Sequence, residues 1–274
     1  MAKIFRKARQ KLLIQKKVKS YLLYAIAEII LVVIGILLAL QINALNQSRQ
    51  RTKLEKTLLN QIKFEMLEIY EDVWRDAANL KLGEKSHENL RDHIVQDRPY
   101  ADSLCFSFHW LKVDEYIYPT TATYGRFKEV GLDIIKNDTI RIHLQSLYEG
   151  HFPRLAKNNA YTPDISEVFN DYYLNSFKPN SDMALTFHFQ LEEDTVGSRI
   201  YSDVSYHFPR TSGQRKDQST IGYVPLDFEA LKKDPKFHML LEQTRRYRSN
   251  KLRHYSSVRS IMKEVVEVIE RELK

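Results

Sequence analysis

The run AIAEIILVVIGILLAL at residues 25–40 holds one carboxylate, Glu28, among otherwise apolar residues. A charged group at bilayer depth is costly, so it must face protein, water or a partner. Two chemistries follow. Glu28 could relay protons, but this segment supplies no second ionisable group to take the proton on. It could instead be a polar contact between helices. At 3.6 residues per turn, Ala25, Glu28, Val32, Gly35, Ala39 and Asn46 fall near one face. Gly35 and Ala39 have the small-xxx-small spacing that lets two membrane helices approach closely. The expected transmembrane interface is therefore Ala25, Glu28, Val32, Gly35 and Ala39.

Elsewhere the chemistry-bearing residues form no motif. Of nine histidines, His87 and His93 are six apart, on different faces of a helix, and no HExxH pair occurs. His109, His143 and His188 stand singly among apolar residues and read as structural. Cys105, the one cysteine, lies in an apolar turn and reads as a small buried hydrophobe. There is no GxSxG elbow and no glycine-rich phosphate loop among eight scattered glycines. Glu192-Glu193-Asp194 reads as a solvated turn. HFPR occurs at 151–154 and 207–210, but the flanks do not align, so it is no repeat. Trp110, Tyr116, Tyr118 and Tyr124 could line a groove for a sugar or peptide; packing is the favoured account. No catalytic residue, cofactor site or metal site is expected, and the chain reads as non-enzymatic.

The elements that position these residues begin with the charge pattern. The net charge is +7. Lys3, Arg6, Lys7, Arg9, Lys11, Lys16, Lys17 and Lys19 crowd a leader, residues 1–20, that has no acid. Without those eight, 34 basic residues face 35 acidic ones, which argues against a nucleic-acid partner. Residues 21–45 follow as a transmembrane anchor. Tyr21–Leu40 has one charge and, at ~1.5 Å per residue, spans roughly the ~30 Å hydrocarbon layer. It is longer than a signal-peptide core, and Ile42 and Ala44 make a poor cleavage pair, so an uncleaved signal anchor is expected. The lysine and arginine bias keeps the leader cytoplasmic and places residues 46–274 in the periplasm, anchored in the inner membrane. The leader's cations are interspersed with Ile4, Phe5, Ala8, Leu12 and Leu13. It reads either as a helix on anionic headgroups or as a flexible topology signal.

The segment KSYLLYAIAEIILVVIGILLALQINALN resembles the start of a family of uncharacterised single-pass membrane proteins of Bacteroidota. Tyr24, Glu28, Gly35, Gln41 and Asn43 match that pattern, while Ala27 stands for a glycine and Ala44-Leu45 for Asn-Trp. The stretch Tyr124, Gly131, Ile135, Asn137, Leu144 and Tyr148 is similar to the same family, with Glu149 where a second tyrosine is expected, and the closing Asp234-Pro235 helix fits it too. The resemblance implies that Glu28 is a family feature. It brings no established chemistry.

The expected fold is mainly α: one transmembrane helix, then an exported antiparallel helical bundle with long first and last helices, of coiled-coil character. Residues 46–97 form the first, with Leu54, Leu58, Ile62, Ile69, Val73, Ala77 and Leu80 as its apolar stripe and Gly83 as its weak point. Residues 98–180 hold short helices at 103–111, 121–130, 137–148 and 162–177. Residues 181–226 are irregular or a small β-hairpin, from the alternation Met183, Leu185, Phe187, Phe189, Leu191, a second strand at 200–208 and a loop at 210–219. Residues 227–274 form the last helix, capped by Asp234-Pro235, with a stripe through Leu240, Tyr247, Leu252, Tyr255, Val258 and Met262. Charge bands set its direction. Glu65, Glu68, Glu71, Asp72 and Asp76 would meet the Arg245–Arg259 band, and Arg49–Lys56 would meet Glu264–Glu272, with Lys274 near Ser48.

The function that follows is a membrane-anchored interaction or scaffold protein, a homo-oligomer or a subunit beside another membrane protein, with lipids as its other partner. A periplasmic ligand-sensing module is the alternative, signalling through a partner because twenty cytoplasmic residues leave no room for an output domain. An accessory subunit of an ion-coupled complex, using Glu28, is the third.

Overall fold

The computed structural model describes residues 18–193, 199–207 and 220–274. The leader up to Lys17 and the 210–219 loop lie outside the described residues. The chain divides into two compact units, 1–56 and 57–274.

Helix α1, Val18–Val95, runs without interruption. It contains no proline to break its ladder of backbone hydrogen bonds. In the first unit its apolar side chains stand exposed: Leu23 is 70% exposed, Leu31 69% and Leu45 60%. Among the described residues this is the one helix long and apolar enough to cross a membrane.

In the second unit, residues 57–95 of α1 lie antiparallel to the closing helix α8, Pro235–Leu273. Lys63 meets Glu270 at 3.5 Å, the Asp76 carboxylate accepts from the Tyr255 hydroxyl at 3.4 Å, and His87 meets Glu242 at 3.8 Å. Each step forward on α1 is thus one step back on α8. The first of these pairs puts Lys274 level with Leu59, not with Ser48 as the charge bands suggested. The direction was right and the register was not. Among the described residues Arg245 pairs with Glu242 on its own helix, Arg253 with Asn250, and Arg259 lies over the Trp74 ring at 3.7 Å. The register is set by apolar burial. Leu58, Ile62, Met66, Val73 and Leu80 on α1, and Tyr255, Val258, Met262 and Ile269 on α8, are wholly buried.

The stripe on α8 also differs from the expected one. Thr244, Arg248 and Lys251 are buried, while Tyr247 and Leu252 are half-buried.

Short elements fill the space between. They are α2 (Leu104–Lys112), α3 (Ala122–Val130), α4 (Asp138–Gln145), a π-helical turn (Ser146–His151), α5 (Phe152–Leu155), α6 (Ile165–Ser176) and α7 (Phe228–Lys233). Local chemistry explains their ends. The Asn137 side chain accepts from the Thr139 and Ile140 amides, Asp164 from Ser166 and Glu167, and Asp234 from Lys236. Gly131, at φ 92°, ends α3. The helix expected over 137–148 is α-helical only to Gln145 and then widens into the π turn. Phe108 of α2 sits at the centre of the aromatic core, 5.0 Å from Phe177 and 6.3 Å from Phe237.

The expected hairpin exists and gains a third strand. Strand β1 (Phe177–Glu193) pairs antiparallel with β2 (Arg199–His207) along its later half and with β3 (Thr220–Pro225) along its earlier half, giving the order β2-β1-β3. Glu192 and Glu193 lie in β1 opposite Ile200 and Arg199, not in a turn. Strand β3 rests on α2, where a Cβ on Gly222 would stand 2.7 Å from Cys105 Sγ. Burial there pushes the Cys105 thiol up to about 11, in keeping with an inert packing role.

Gly83 is not a weak point. A Cβ there would sit 2.7 Å from Arg248 Cζ, so the missing side chain is what lets a buried guanidinium lie against α1. Gly125 in α3 has nothing within 4 Å of such a Cβ. A helical glycine replaced by alanine normally gains ~0.5–1 kcal/mol. Gly125→Ala should follow that rule and raise the melting temperature. Gly83→Ala should lower it by a strain of ~1–3 kcal/mol, a difference of sign that thermal unfolding of the two variants will read.

Candidate functional site

The residues of the expected transmembrane interface all lie on α1. Their spacing of three and four in an unbroken helix keeps Ala25, Glu28, Val32, Gly35 and Ala39 on one face. Ala25 is half-exposed and the other four are exposed. A Cβ added to Gly35 would meet nothing within 4 Å. Among the described residues, then, nothing packs over Gly35. Of the cationic leader residues, Lys19 falls in α1, and Lys3, Arg6, Lys7, Arg9, Lys11, Lys16 and Lys17 lie outside the described residues.

A second constellation lies in the 57–274 unit. The chain after α2 crosses α8 at Val113–Tyr116. There Arg248, 1% exposed, donates through Nη2 to the carbonyls of Leu111 (2.8 Å), Val113 (3.3 Å) and Trp110 (3.4 Å). These carbonyls lie at the C-terminal end of α2, where that of Trp110 also accepts from the Val113 amide and a cation is favoured by the helix dipole. Burial pulls the Arg248 guanidinium down to about 10, opposed by Asp114 and Glu84, so it stays charged near neutrality.

One turn on, Lys251 Nζ donates to Asp114 Oδ1 at 2.6 Å and lies 4.0 Å from the Tyr116 ring centre. The two side chains of this pair are 0% and 1% exposed. Asp114 also accepts from the Glu115 amide, the Tyr116 hydroxyl and the Ile165 amide, each at 2.9 Å. One carboxylate therefore joins α8, the 113–116 crossing and the start of α6.

Beside this junction is a cleft of about 240 Å³ lined by Asp72, Arg75, Asp76, Glu115, Tyr116 and Tyr118. Glu115 accepts from Asn79 at 2.8 Å. Burial, with Glu115 next in effect, pushes Asp76 up to about 7; burial likewise raises Glu115, with Asn79 opposing. Among the described residues no group of three or more His, Cys, Asp or Glu is placed to hold a metal.

Of the four aromatics named as a groove, Tyr116 and Tyr118 share the cleft beside the junction, and Trp110 and Tyr124 lie elsewhere. Tyr116 belongs to the junction, Tyr118 is 73% exposed at the cleft, and Tyr124 stacks on Tyr148 with centroids 4.3 Å apart. Trp110 lines a different cleft, between α1 and α2. His109 stacks on Tyr223 and His143 lies 3.3 Å from Glu264, both within the packed fold.

Asp76, Asp114, Glu115 and Lys251 were not legible as a cluster. A signal existed: Thr244, Arg248, Lys251, Tyr255, Val258 and Met262 follow one another at four- and three-residue steps. That spacing puts two cations on the core face of α8.

No family model matches the chain, and no curated protein or solved structure matches it.

Proposed function

We propose that this chain is a membrane-anchored, non-enzymatic interaction protein. Its basic leader is cytoplasmic, residues 21–45 cross the inner membrane, and the helical domain lies in the periplasm. The observation that supports this reading is the stretch Leu22–Leu45 of α1, whose leucines and isoleucines are about half or more exposed. Such a run is unfavourable in water and at home in hydrocarbon. Within it, the Ala25–Ala39 face joins small residues to Glu28, the composition that packs one membrane helix on another. A second copy, or another membrane protein with the same spacing, is the partner of that face. The similarity to the single-pass Bacteroidota family belongs to this proposal and rests on the residues quoted for it.

Gly35→Ile with Ala39→Ile tests it. The pair should leave membrane insertion intact and abolish the crosslinked, detergent-stable assembly expected of the unmodified chain. Unchanged assembly would remove the interface. A carboxyl-terminal tag that protease reaches only from the cytoplasmic side would remove the topology.

A further inference from the structure

Between residues 82–92 of α1 and helix α2 lies a cleft of about 350 Å³, wholly within the 57–274 unit. Its walls are two helix faces. Ser86 and Asn89 come from α1, Phe106, Ser107 and Trp110 from α2, and Ser103 from the position just before it. Asn89 Nδ2 donates to Ser107 Oγ across the cleft at 3.0 Å. Ser86 is 8% exposed and lines the cleft.

We propose that this cleft binds a neutral polyhydroxylated ligand, a saccharide of one or two rings. Three features fit that class. The volume is at the lower end of small-molecule sites, ~300–1,000 Å³. The polar lining offers donors and acceptors together: serine hydroxyls that do both, the Asn89 amide, the Lys85 ammonium, and the Glu88 and Asp92 carboxylates. A sugar hydroxyl likewise donates and accepts. The apolar part of the lining is largely aromatic: Trp110 and Phe106, 7% and 3% exposed, show ring edges at its floor on which the C–H groups of a sugar can rest. An anionic ligand fits poorly, since two carboxylates face one ammonium there. A wholly apolar ligand would strand the serines and Asn89. The site is independent of the anchor and of any assembly through it.

Trp110 supplies the readout, because Trp74 is the only other tryptophan. The full chain carrying Trp74→Phe, in detergent, would be titrated with glucose, galactose, N-acetylglucosamine and maltose while its emission is followed. At least one sugar should give a saturable change below ~10 mM and raise the melting temperature of the unmodified chain. Ser86→Leu, which fills the cleft, should weaken that response at least tenfold. Asn89→Leu, at an exposed position, should weaken it too and keeps the test alive if Ser86→Leu does not fold. No response to any of the four sugars overturns the proposal. So does a response that survives both variants, or a stronger saturable response to free glycine or glutamate than to every sugar.

Discussion

Asp114→Ala should be among the most damaging single substitutions in the helical domain, lowering the melting temperature of the detergent-solubilised chain by on the order of 10 °C. The reason is what it leaves behind. Lys251 is fully buried, and Asp114 is the carboxylate at its ammonium. Breaking such a pair from one side costs ~3–5 kcal/mol, because the buried charge is left with only the Glu115 carbonyl, at 3.2 Å, and the Tyr116 ring. The Ile165 amide, at the first turn of α6, loses its acceptor as well. Asp114→Asn keeps an oxygen for Ile165 and loses the charge, so it should fall between alanine and the unmodified chain. Lys251→Met on top of Asp114→Ala should recover part of the loss, since a neutral side chain of similar length fills the same channel. Burial already holds the Lys251 ammonium below its ordinary range, with Asp114 opposing that shift. In Asp114→Ala the opposition is gone, so the variant should regain stability as pH rises and the lysine sheds its proton. Urea denaturation of the four chains measures all of this. An Asp114→Ala variant as stable as the parent would show that the pair does not hold the junction.

What could be read from the chain beforehand, and what could not, follows from the range of the interactions. Caps act over three residues, so Asn137, Asp164 and Asp234 announced their helices, and Gly131 announced the end of α3. The long apolar stripe of α1 was equally plain, since one side of it is buried. Register was different. Charge bands at helix surfaces are weak and broad, and they placed Lys274 level with Ser48, about three helical turns from its level with Leu59. The contact that would have corrected it joins Gly83 to Arg248, a glycine and an arginine with no local reason to meet. Strand β3 was missed for a similar cause. It is six residues long, contains Gly222 and Pro225, and finds its partner in β1 some forty residues earlier. The long apolar run of α1 was readable because it is continuous in the sequence. The ionic junction was not, because lysine and arginine on a charged helix are ordinarily solvated.

Asp76→Asn should turn a nearly flat stability–pH profile into a rising one in mildly acidic solution. Asp76 of α1 is 7% exposed, with the Tyr255 hydroxyl of α8 at 3.4 Å, Glu115 of the crossing segment adding negative charge, and Asp72 and Arg75 beside it on α1. Burial first, then Glu115, pushes it from 3.8 to about 7. The folded chain therefore holds a proton that the unfolded chain releases near pH 4. Its contribution to stability is fully present below pH 4 and is lost as pH rises through 7. His87, 1% exposed, works the other way. Burial pulls it from 6.5 to about 4; Glu242 opposes this, and Arg245, Arg248 and Arg91 add to it. The unfolded chain takes up a proton that the folded chain refuses, so this contribution is present above pH 6.5 and lost as pH falls to 4. At ~1.4 kcal/mol per pKa unit, each group is worth on the order of 3 kcal/mol across its window. Between pH 4 and 6.5 the two slopes oppose and largely cancel. Asp76→Asn removes the falling slope and should leave stability rising by ~2–3 kcal/mol over that interval. His87→Leu should leave it falling by a similar amount, and the double variant should be flat apart from the smaller effect of Glu115, which burial also raises. Melting temperatures of the four chains at half-unit steps from pH 4 to 8 give the profiles. Parallel profiles for Asp76→Asn and the unmodified chain would mean that Asp76 is ionised throughout, and that the cleft beside it admits enough water to keep it so.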